Sequence, residues 1–402
     1  MNIPTNYYVV FRLFLEYDVN TIFYINIMID QEDSKQKNPI IKHLVFSGGV
    51  IYGYAFYGAY KFLEQKGVVN IDNIETMYGT SCGAMVAVIL SLRYDYETLE
   101  NYLIKRPWHE VFKFTIETFM NCYQKCGLFG PEILETLFDP LFRAKDLDIA
   151  TITMKEFYET TKIEQHFFTV DIGGFELIDI SYKTHPDCRV LDAVYASSCV
   201  PLLFQPIQLH IGKEIIEEDV CGNMVRSKKK TGLIDGGFLM NYPIQPCIQS
   251  ILVRGLKSSN QKTPVPCKVE DRMSLVRDAS GTDMGKGAES TKGAHSSLDA
   301  ILGMNLAFYH DMYDKPECKS FNVFEYLYLI LSILLHKIHK LIIALYTNPN
   351  PTTSIKLYEI HIPPNINPCN EMFHFVNSQE ERVKMIEYGA SEASKAIKQW
   401  TL

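Results

Sequence analysis

The sequence lacks two features that would indicate a nucleic-acid or a metal partner: an excess of positive charge and closely paired cysteines. Its 402 residues include 39 Lys and Arg against 47 Asp and Glu, a formal net charge of -8. Nucleic-acid binding draws its affinity from clustered cations, so we expect no nucleic-acid partner. Among the ten cysteines only Cys122 and Cys126 lie close together, without the CxxC spacing of a zinc site. We expect free thiols in a reducing compartment and no bound metal.

Long uninterrupted apolar runs are also missing. The first apolar stretch, Tyr7–Ile29, contains three charged residues, and the second, Tyr326–Tyr346, has two lysines and two histidines at its middle. Because charges at the bilayer centre are costly, neither stretch is expected to span a membrane, and the first has no cleavage site of a secretory signal. Either stretch can pack on the protein or lie on a membrane surface. We expect an intracellular protein, cytoplasmic or peripherally membrane-associated.

A strand-helix-strand pattern stands near the start of the chain. A buried strand is predicted over Lys42–Phe46, a helix over Tyr54–Gln65, a second strand over Ile74–Tyr78 and a second helix over Gly83–Leu92. Such units favour parallel strands with right-handed crossovers. Because the carboxyl ends of parallel strands meet at one edge, both glycine-rich turns are expected at the edge where open α/β sheets bind ligands.

The rest of the chain divides by composition. We predict an N-terminal extension (1–38), a main domain (39–254), a disordered insertion rich in Ser, Gly and Lys (255–297) and a C-terminal part of the same domain (298–402), with a helical hydrophobic segment near 323–346. A hairpin is predicted over Phe167–Ile180, with strands at Gly232–Ile234 and Ile355–Ile362. Further helices are predicted at Tyr96–Ile104, Val111–Gln124, Pro131–Phe142, Arg189–Ser197, Leu298–Tyr313 and Ser378–Gln399.

The pentapeptide 79–83, GTSCG, fits the pattern G-x-S-x-G between a strand and a helix. A serine at the tip of a sharp strand-to-helix turn is held out for attack, and Gly79 and Gly83 leave room for neighbouring backbone and a substrate carbonyl. The helix N-terminus behind Ser81 favours developing negative charge. Alone, the pattern also fits a plain helix-entry turn, so its neighbours decide the interpretation.

One strand-helix-strand unit earlier, a loop of small residues contains Gly48, Gly49 and Gly53. Its backbone N–H groups can turn toward a carbonyl held over Ser81 and form an oxyanion hole. The loop lacks the Gly-Lys-Ser/Thr ending of a nucleotide site, and no acidic ribose contact supports a dinucleotide. The sequence therefore favours an oxyanion hole over a phosphate-binding loop, and a plain turn with tolerated glycines remains the alternative.

A third glycine-rich turn, Asp235 followed by Gly236 and Gly237, ends the short strand at 232–234. Asp-Gly is first of all a turn signal. At the end of an apolar strand, a carboxylate can also accept the hydroxyl proton of Ser81, provided that burial raises its pKa above the usual value of about 3.9. Asp235 is therefore a candidate general base.

Together, the three turns resemble those of the patatin-like phospholipases. The similarity covers about 42–251 and includes Gly58, the stretch Ala196–Pro201 and the stretch Asn241–Pro243. The resemblance implies an α/β fold, a three-layer sandwich with a mostly parallel central sheet and helices on both faces. It also implies a lipid acyl hydrolase of phospholipase A type, which cleaves acyl esters of glycerophospholipids or related lipids at a membrane surface through an acyl-serine intermediate.

Carried over residue by residue, the resemblance makes Ser81 the nucleophile and Asp235 its general base, with no catalytic histidine, metal or cofactor. The oxyanion donors it implies are the backbone N–H groups of Gly48, Gly49, Val50 and Gly53. Two residues depart from the family's loop. Val50 stands where a third glycine is usual, and a positive φ there would be strained for a β-branched side chain. Tyr52 stands where a basic residue is frequent.

Two other functions stay open. A Ser-Asp-His esterase would use His310, which follows Asp235 in the order of the α/β-hydrolase triad. A catalytically silent module of the same fold would bind lipid or a protein partner. The altered glycine loop is the reason for this hypothesis. The acyl position, the headgroup preference and any protein partner are not determined by the sequence.

Overall fold

A mixed sheet forms the centre of the computed structural model. The structure describes residues 40–211, 214–218, 224–228, 230–258, 299–306, 355–365 and 368–400. The strands in these ranges are β1 (Ile40–Phe46), β2 (Thr76–Gly79), β3 (Gly127–Phe129), β4 (Glu164–Asp171), β5 (Glu176–Ile180), β6 (Leu202–Phe204), β7 (Ile207–Leu209), β8 (Glu214–Glu218), β9 (Met224–Lys228), β10 (Thr231–Asp235), β11 (Asp299–Leu306) and β12 (Lys356–Ile362).

The same ranges also contain eleven helices. They are α1 (Gly53–Gln65), α2 (Cys82–Ser91), α3 (Tyr96–Lys105), α4 (Trp108–Val111), α5 (Ile116–Lys125), α6 (Glu132–Arg143), α7 (Met154–Thr161), α8 (Val190–Ser198), α9 (Ile244–Ser258), α10 (Pro368–Asn377) and α11 (Gln379–Ile397). Short 3₁₀ turns lie at Val50–Tyr52, Ile71–Asn73 and Gly236–Phe238. None of these helices has both the length and the apolar composition needed to cross a bilayer.

The strand order of the main sheet is β12-β11-β1-β2-β4-β10-β7, and β5 also pairs with β4. The pairs from β12 to β4 are parallel. The strands β5 and β10 run antiparallel to β4, and β7 runs antiparallel to β10. Because β1, β2 and β4 are parallel, their carboxyl ends meet at one edge, and antiparallel β10 ends close by with Asp235 opposite Thr169.

Different helices cover the two faces of the sheet. Leu44 and Phe46 of β1 belong to a large apolar core that includes residues of α1, α2 and α8. Between them, Val45 belongs to a smaller core with Cys247 of α9. Because successive strand residues point to opposite faces, the sheet lies between two helical layers. The predicted three-layer architecture with a mostly parallel sheet is therefore confirmed.

The helix predicted at Leu298–Tyr313 is wrong where the structure describes it. Residues Asp299–Leu306 form β11, which pairs in parallel with both β1 and β12. The side chains of Ile301, Leu302 and Met304 are fully buried, as in a strand that is covered on both faces. A continuous apolar run of this kind has no period that separates a buried strand from a buried helix.

Most other predicted elements are confirmed with small shifts in their ends. The hairpin forms with Asp171 opposite Glu176. The helix predicted from Val111 begins at Ile116. Helix α9 continues to Ser258, so the predicted insertion begins with helical residues. The remaining insertion, the N-terminal extension, the segment near 323–346 and His310 lie outside the described residues.

Helices α1 and α11 pack backbone against backbone. A Cβ added to Gly58 would lie 2.0 Å from the carbonyl oxygen of Ile386, and one added to Gly389 would lie 1.8 Å from the carbonyl oxygen of Ala55. Only glycine permits so close an approach. Because α1 begins at the glycine loop, α11 holds the helix that positions this loop.

We predict that Gly389→Ala destabilises the protein. Within a helix this change normally stabilises by about 1 kcal/mol, but the new methyl group meets the Ala55 carbonyl, and forced separation of the helices should cost roughly 1–3 kcal/mol. Urea unfolding measures the difference. Ser391→Ala, an exposed change in the same helix, should change the free energy of unfolding by less than about 0.5 kcal/mol. A more stable Gly389→Ala variant would contradict the packing described.

Candidate active site

Ser81 forms a sharp turn between β2 and α2. Its φ is 56° and its ψ is -125°, an uncommon conformation for a residue with a side chain, and 5% of its surface is exposed. A Cβ on Gly79 would lie 2.7 Å from the backbone of Gly83, and a Cβ on Gly83 would lie 2.5 Å from the carbonyl oxygen of Phe46. Both glycines of the motif are thus required by close backbone contacts.

Three hydrogen bonds fix this turn against distant segments. The Ser81 N–H donates to Ser197 Oγ at 3.0 Å, and the Thr80 hydroxyl donates to the Met240 carbonyl at 2.7 Å. The Thr80 N–H donates to the Phe46 carbonyl at 3.3 Å. Since β1, α8 and the chain after β10 all contact the turn, its strained conformation is held from several sides.

Asp235 lies at the end of β10 with 4% of its surface exposed. Its Oδ1 accepts the Gly237 N–H at 2.6 Å, while its Oδ2 is buried and has no hydrogen-bond partner among the described residues. Burial raises the pKa of Asp235 to about 6, against the lowering effects of the Ser81 hydroxyl and the Gly237 N–H. The Ser81 hydroxyl is thus close enough to lower the pKa of Asp235, although its geometry does not make a hydrogen bond to Oδ2.

Gly48 brings the glycine loop close to Ser81, but its N–H is already used. It donates to the Asn241 carbonyl at 2.9 Å. A Cβ on Gly48 would lie 2.4 Å from Asn241 Oδ1 and 3.2 Å from Ser81 Cβ. Gly48 is therefore needed for close approach, and its predicted role as an oxyanion donor does not agree with this hydrogen bond.

The N–H of Gly53 is also used, because it donates to the carbonyl oxygens of Val50 and Ile51. The predicted role of Gly53 as an oxyanion donor therefore does not agree with these hydrogen bonds either. The Val50 N–H has no partner among the described residues. Of the two remaining predicted donors, the Val50 N–H is thus unpaired among the described residues, while the Gly49 N–H acts on the Cys82 thiol.

Val50 adopts the positive φ that the sequence indicated would be strained. Its φ is 51°, in the left-handed region, where a side chain costs roughly 1–2 kcal/mol. Its side chain is half-buried and packs against the large core. Packing of the apolar side chain therefore offsets part of the backbone strain that a glycine would avoid.

Cys82, the residue after Ser81, faces the same loop. Burial and the nearby Asp235 raise the pKa of its thiol, while the N–H groups of Gly49 and Gly53 lower it. The Cys82 N–H begins α2 and has no partner among the described residues. This N–H is a further potential oxyanion donor, which the sequence reasoning did not single out.

Tyr52 replaces a basic residue with a buried hydroxyl. Its side chain is fully buried, its Oη donates to Asn365 Oδ1 at 3.0 Å and it accepts the Asn365 N–H at 2.8 Å. The side chain therefore ties the glycine loop to the chain after β12 and brings no positive charge to the site.

A polar cavity of about 480 Å³ lies away from this site. It is lined at the amino-terminal ends of β1, β2 and β4, where Lys42 pairs with Glu75 at 2.9 Å and Arg254 pairs with Glu164 at 2.8 Å. Ser81 and Asp235 lie at the opposite edge of the sheet. The cavity is therefore separate from the candidate active site.

Comparisons with known proteins identify the family to which this arrangement belongs. The sequence model of the family described as Patatin-like phospholipase matches residues 44–248, which include the glycine loop, the Ser81 turn and Asp235. The chain belongs to the patatin-like phospholipase family. The family match ends within α9, and β11, β12 and α11 lie beyond it.

The sequence of this patatin-like chain is similar to the sequences of several known proteins. A probable lipid hydrolase of Invertebrate iridescent virus 6 is 25% identical over 53% of this chain and 65% of its own length. The uncharacterized protein YqhO of Bacillus subtilis is 27% identical over 50% of this chain and 64% of its own length. The chain therefore spans less than two thirds of these relatives.

Solved structures of two bacterial proteins align over more of this chain, but with lower sequence identity. VipD from Legionella pneumophila aligns over 93% of this chain and 72% of its own, with 14% identity and a TM-score of 0.36. Full-length ExoU from Pseudomonas aeruginosa, solved in complex with SpcU, aligns over 90% of this chain and 53% of its own, with 15% identity and a TM-score of 0.31.

We predict that Asp235→Asn changes the pH dependence of stability. Because the folded pKa of about 6 lies above the usual aspartate value of 3.8, the wild type loses stability as the pH rises from 3.8 through 6, and the variant cannot titrate there. The free energy of unfolding of the variant minus that of the wild type should rise by about 1 kcal/mol between about pH 5 and about pH 8. Urea unfolding at both pH values tests this, and a pH-independent difference would contradict it.

Proposed function

We propose that this chain is a lipid acyl hydrolase of phospholipase A type that uses Ser81 and Asp235 as a catalytic dyad. The observation that carries the proposal is a buried carboxyl group with a raised pKa and an unpartnered oxygen, beside a serine on a strained turn. Such perturbed groups cluster at active sites. The substrate class is supported by the patatin-like phospholipase family and by the probable lipid hydrolase among the relatives.

In the proposed reaction, Asp235 Oδ2 takes the proton of Ser81 as Ser81 Oγ attacks the ester carbonyl. The tetrahedral intermediate then expels the lysolipid alcohol, which receives the proton from Asp235. Water, deprotonated by the same carboxylate, then attacks the acyl-Ser81 ester. The bond between the acyl carbon and Ser81 Oγ breaks, Ser81 Oγ takes the proton back from Asp235, and the fatty acid is released. The carboxylate must therefore be unprotonated at the start of each half-reaction.

The negative charge that develops on the carbonyl oxygen needs hydrogen-bond donors. We propose that the N–H groups of Gly49 and Val50, from the glycine loop, and of Cys82, at the start of α2, supply these donors. Each such donor is worth a few kcal/mol in related sites. Gly48 and Gly53 shape the loop instead. Because one donor belongs to a strained valine, we expect its position to be set by the packing of the Val50 side chain.

The Ser-Asp-His alternative depends on His310, outside the described residues. The alternative of a catalytically silent lipid-binding module is favoured by one observation, the N–H of Gly48 held by Asn241. Covalent labelling of Ser81 separates these functions.

We predict that Ser81→Ala and Asp235→Asn each reduce hydrolysis of a fluorogenic acyl ester by at least about 10³-fold, because one removes the nucleophile and the other its base. Ser81→Ala should also abolish labelling by a fluorophosphonate probe. Asp192→Asn, at a buried aspartate that pairs with Arg189, is the matched control and should keep its activity.

Undiminished turnover in either dyad variant would overturn the assignment. Loss of activity in His310→Ala with a normally folded protein would favour the triad. A folded wild type that binds lipid but is not labelled at Ser81 would favour the silent module.

We further predict that kcat/KM rises with pH and levels off above about pH 6, because Asp235 must be ionised to act as a base and its pKa is about 6. Activity on a soluble ester should therefore fall about tenfold for each pH unit below that value. Circular dichroism at each pH controls for unfolding. A profile that is flat from about pH 4 to about pH 8 would show that no such base limits the reaction.

A further inference from the structure

Helix α5 carries its apolar residues on the side that faces solvent. Ile116, Met120 and Tyr123 have exposed fractions of 85%, 54% and 89%. Their spacing of i, i+4 and i+7 places them in one stripe along the helix. A surface helix normally buries such a stripe in the core, so the orientation of α5 is the reverse of the usual one.

The helix is well defined at both ends. Thr115 and Thr118 form a reciprocal capping box at its start, and Cys126, with a φ of 60°, ends it in the left-handed conformation. On the side that packs on the protein, Cys122 Sγ lies 3.5 Å from the Leu202 carbonyl oxygen. The outward apolar stripe therefore belongs to a helix that is fixed in orientation.

This helix is joined to the wall of the candidate active site. It leads into β3, where Gly127 pairs with Leu202 of β6. The chain just before β6 contacts both members of the proposed dyad, because Ser197 Oγ accepts the Ser81 N–H at 3.0 Å and the Cys199 carbonyl accepts the Asp235 N–H at 3.0 Å. A surface bound at α5 would thus lie next to an element that lines the site.

The charges around the stripe match a lipid surface. Exposed Lys113 and Lys125 lie at its two ends, and Glu117 is the only acidic residue between them, in a chain whose net charge is -8. Apolar and aromatic side chains with flanking cations are typical of helices that lie in a membrane interface. Phe373, which is 62% exposed and contacts Phe114 at 5.9 Å between ring centroids, widens the apolar surface.

We propose that α5 and Phe373 form the surface by which this protein docks on a lipid bilayer. The choice of a lipid bilayer as the partner of this surface rests on the proposed function, since a hydrolase of bilayer lipids has to reach an ester held in a membrane. The stripe inserts at the level of the headgroups, Lys113 and Lys125 contact lipid phosphates, and the site behind β6 then faces the lipid layer. Apolar contact supplies most of the affinity.

The test is sedimentation of the full chain with vesicles of phosphatidylcholine and phosphatidylserine. A triple variant, Ile116→Ser, Met120→Ser and Tyr123→Ser, should bind these vesicles at least about tenfold more weakly, because the apolar area that enters the interface is lost. The matched control replaces three exposed apolar residues near the opposite edge of the sheet and should bind like the wild type. Its changes are Ile40→Ser, Val253→Ser and Leu357→Ser.

Turnover of a soluble short-chain ester separates this proposal from the proposed function. It should change by less than about twofold in both triple variants, whereas hydrolysis of vesicle lipid should fall only in the α5 variant. A wild type that binds vesicles but cleaves no ester would overturn the proposed function and leave the docking surface standing.

Unchanged vesicle binding in the α5 variant would overturn the docking surface, as would an equal loss in the control variant. A dimer in light scattering that the α5 changes abolish, with vesicle binding unaffected, would assign the stripe to a second copy of the chain and would also overturn it.

Discussion

The burial of the Asp235 carboxyl group is the constraint on which the candidate site depends. One oxygen accepts the Gly237 N–H and the other has no partner among the described residues. An unpartnered buried carboxyl oxygen is costly, and burial shifts the pKa to about 6. This leaves near Ser81 a group that can change its charge close to neutral pH, which a solvent-exposed aspartate does not do.

Several residues around this arrangement have strained backbone conformations, and the cost of this strain is offset by contacts elsewhere in the fold. Ser81, Val50 and Leu202 all have a positive φ, and each such residue costs of order 1–3 kcal/mol. Hydrogen bonds from distant segments and the two apolar cores hold them in place. The close packing of α11 on α1 belongs to the same support, because it fixes the helix that begins at the glycine loop.

Local features of the site could be predicted from the sequence, and non-local ones could not. The turn at Ser81 and the hairpin of β4 and β5 follow from short patterns of glycines and apolar residues. The partner of Gly48 could not be predicted, because Asn241 lies 193 positions away, nor could Ser197, 116 positions from Ser81. The strand β11 was missed because burial on both faces removes its period, and the apolar period of α5 defines a stripe without showing which way it faces.

The central claim is that the Asp235 carboxyl group, beside the Ser81 hydroxyl, has a raised pKa. Carboxyl-carbon NMR titration, with the resonance assigned by its absence in an Asp235 variant, measures this pKa directly. The account predicts a value of about 6 in the wild type and a higher value in Ser81→Ala, because the Ser81 hydroxyl lowers the pKa of Asp235. A titration near 3.8 in both proteins would contradict it.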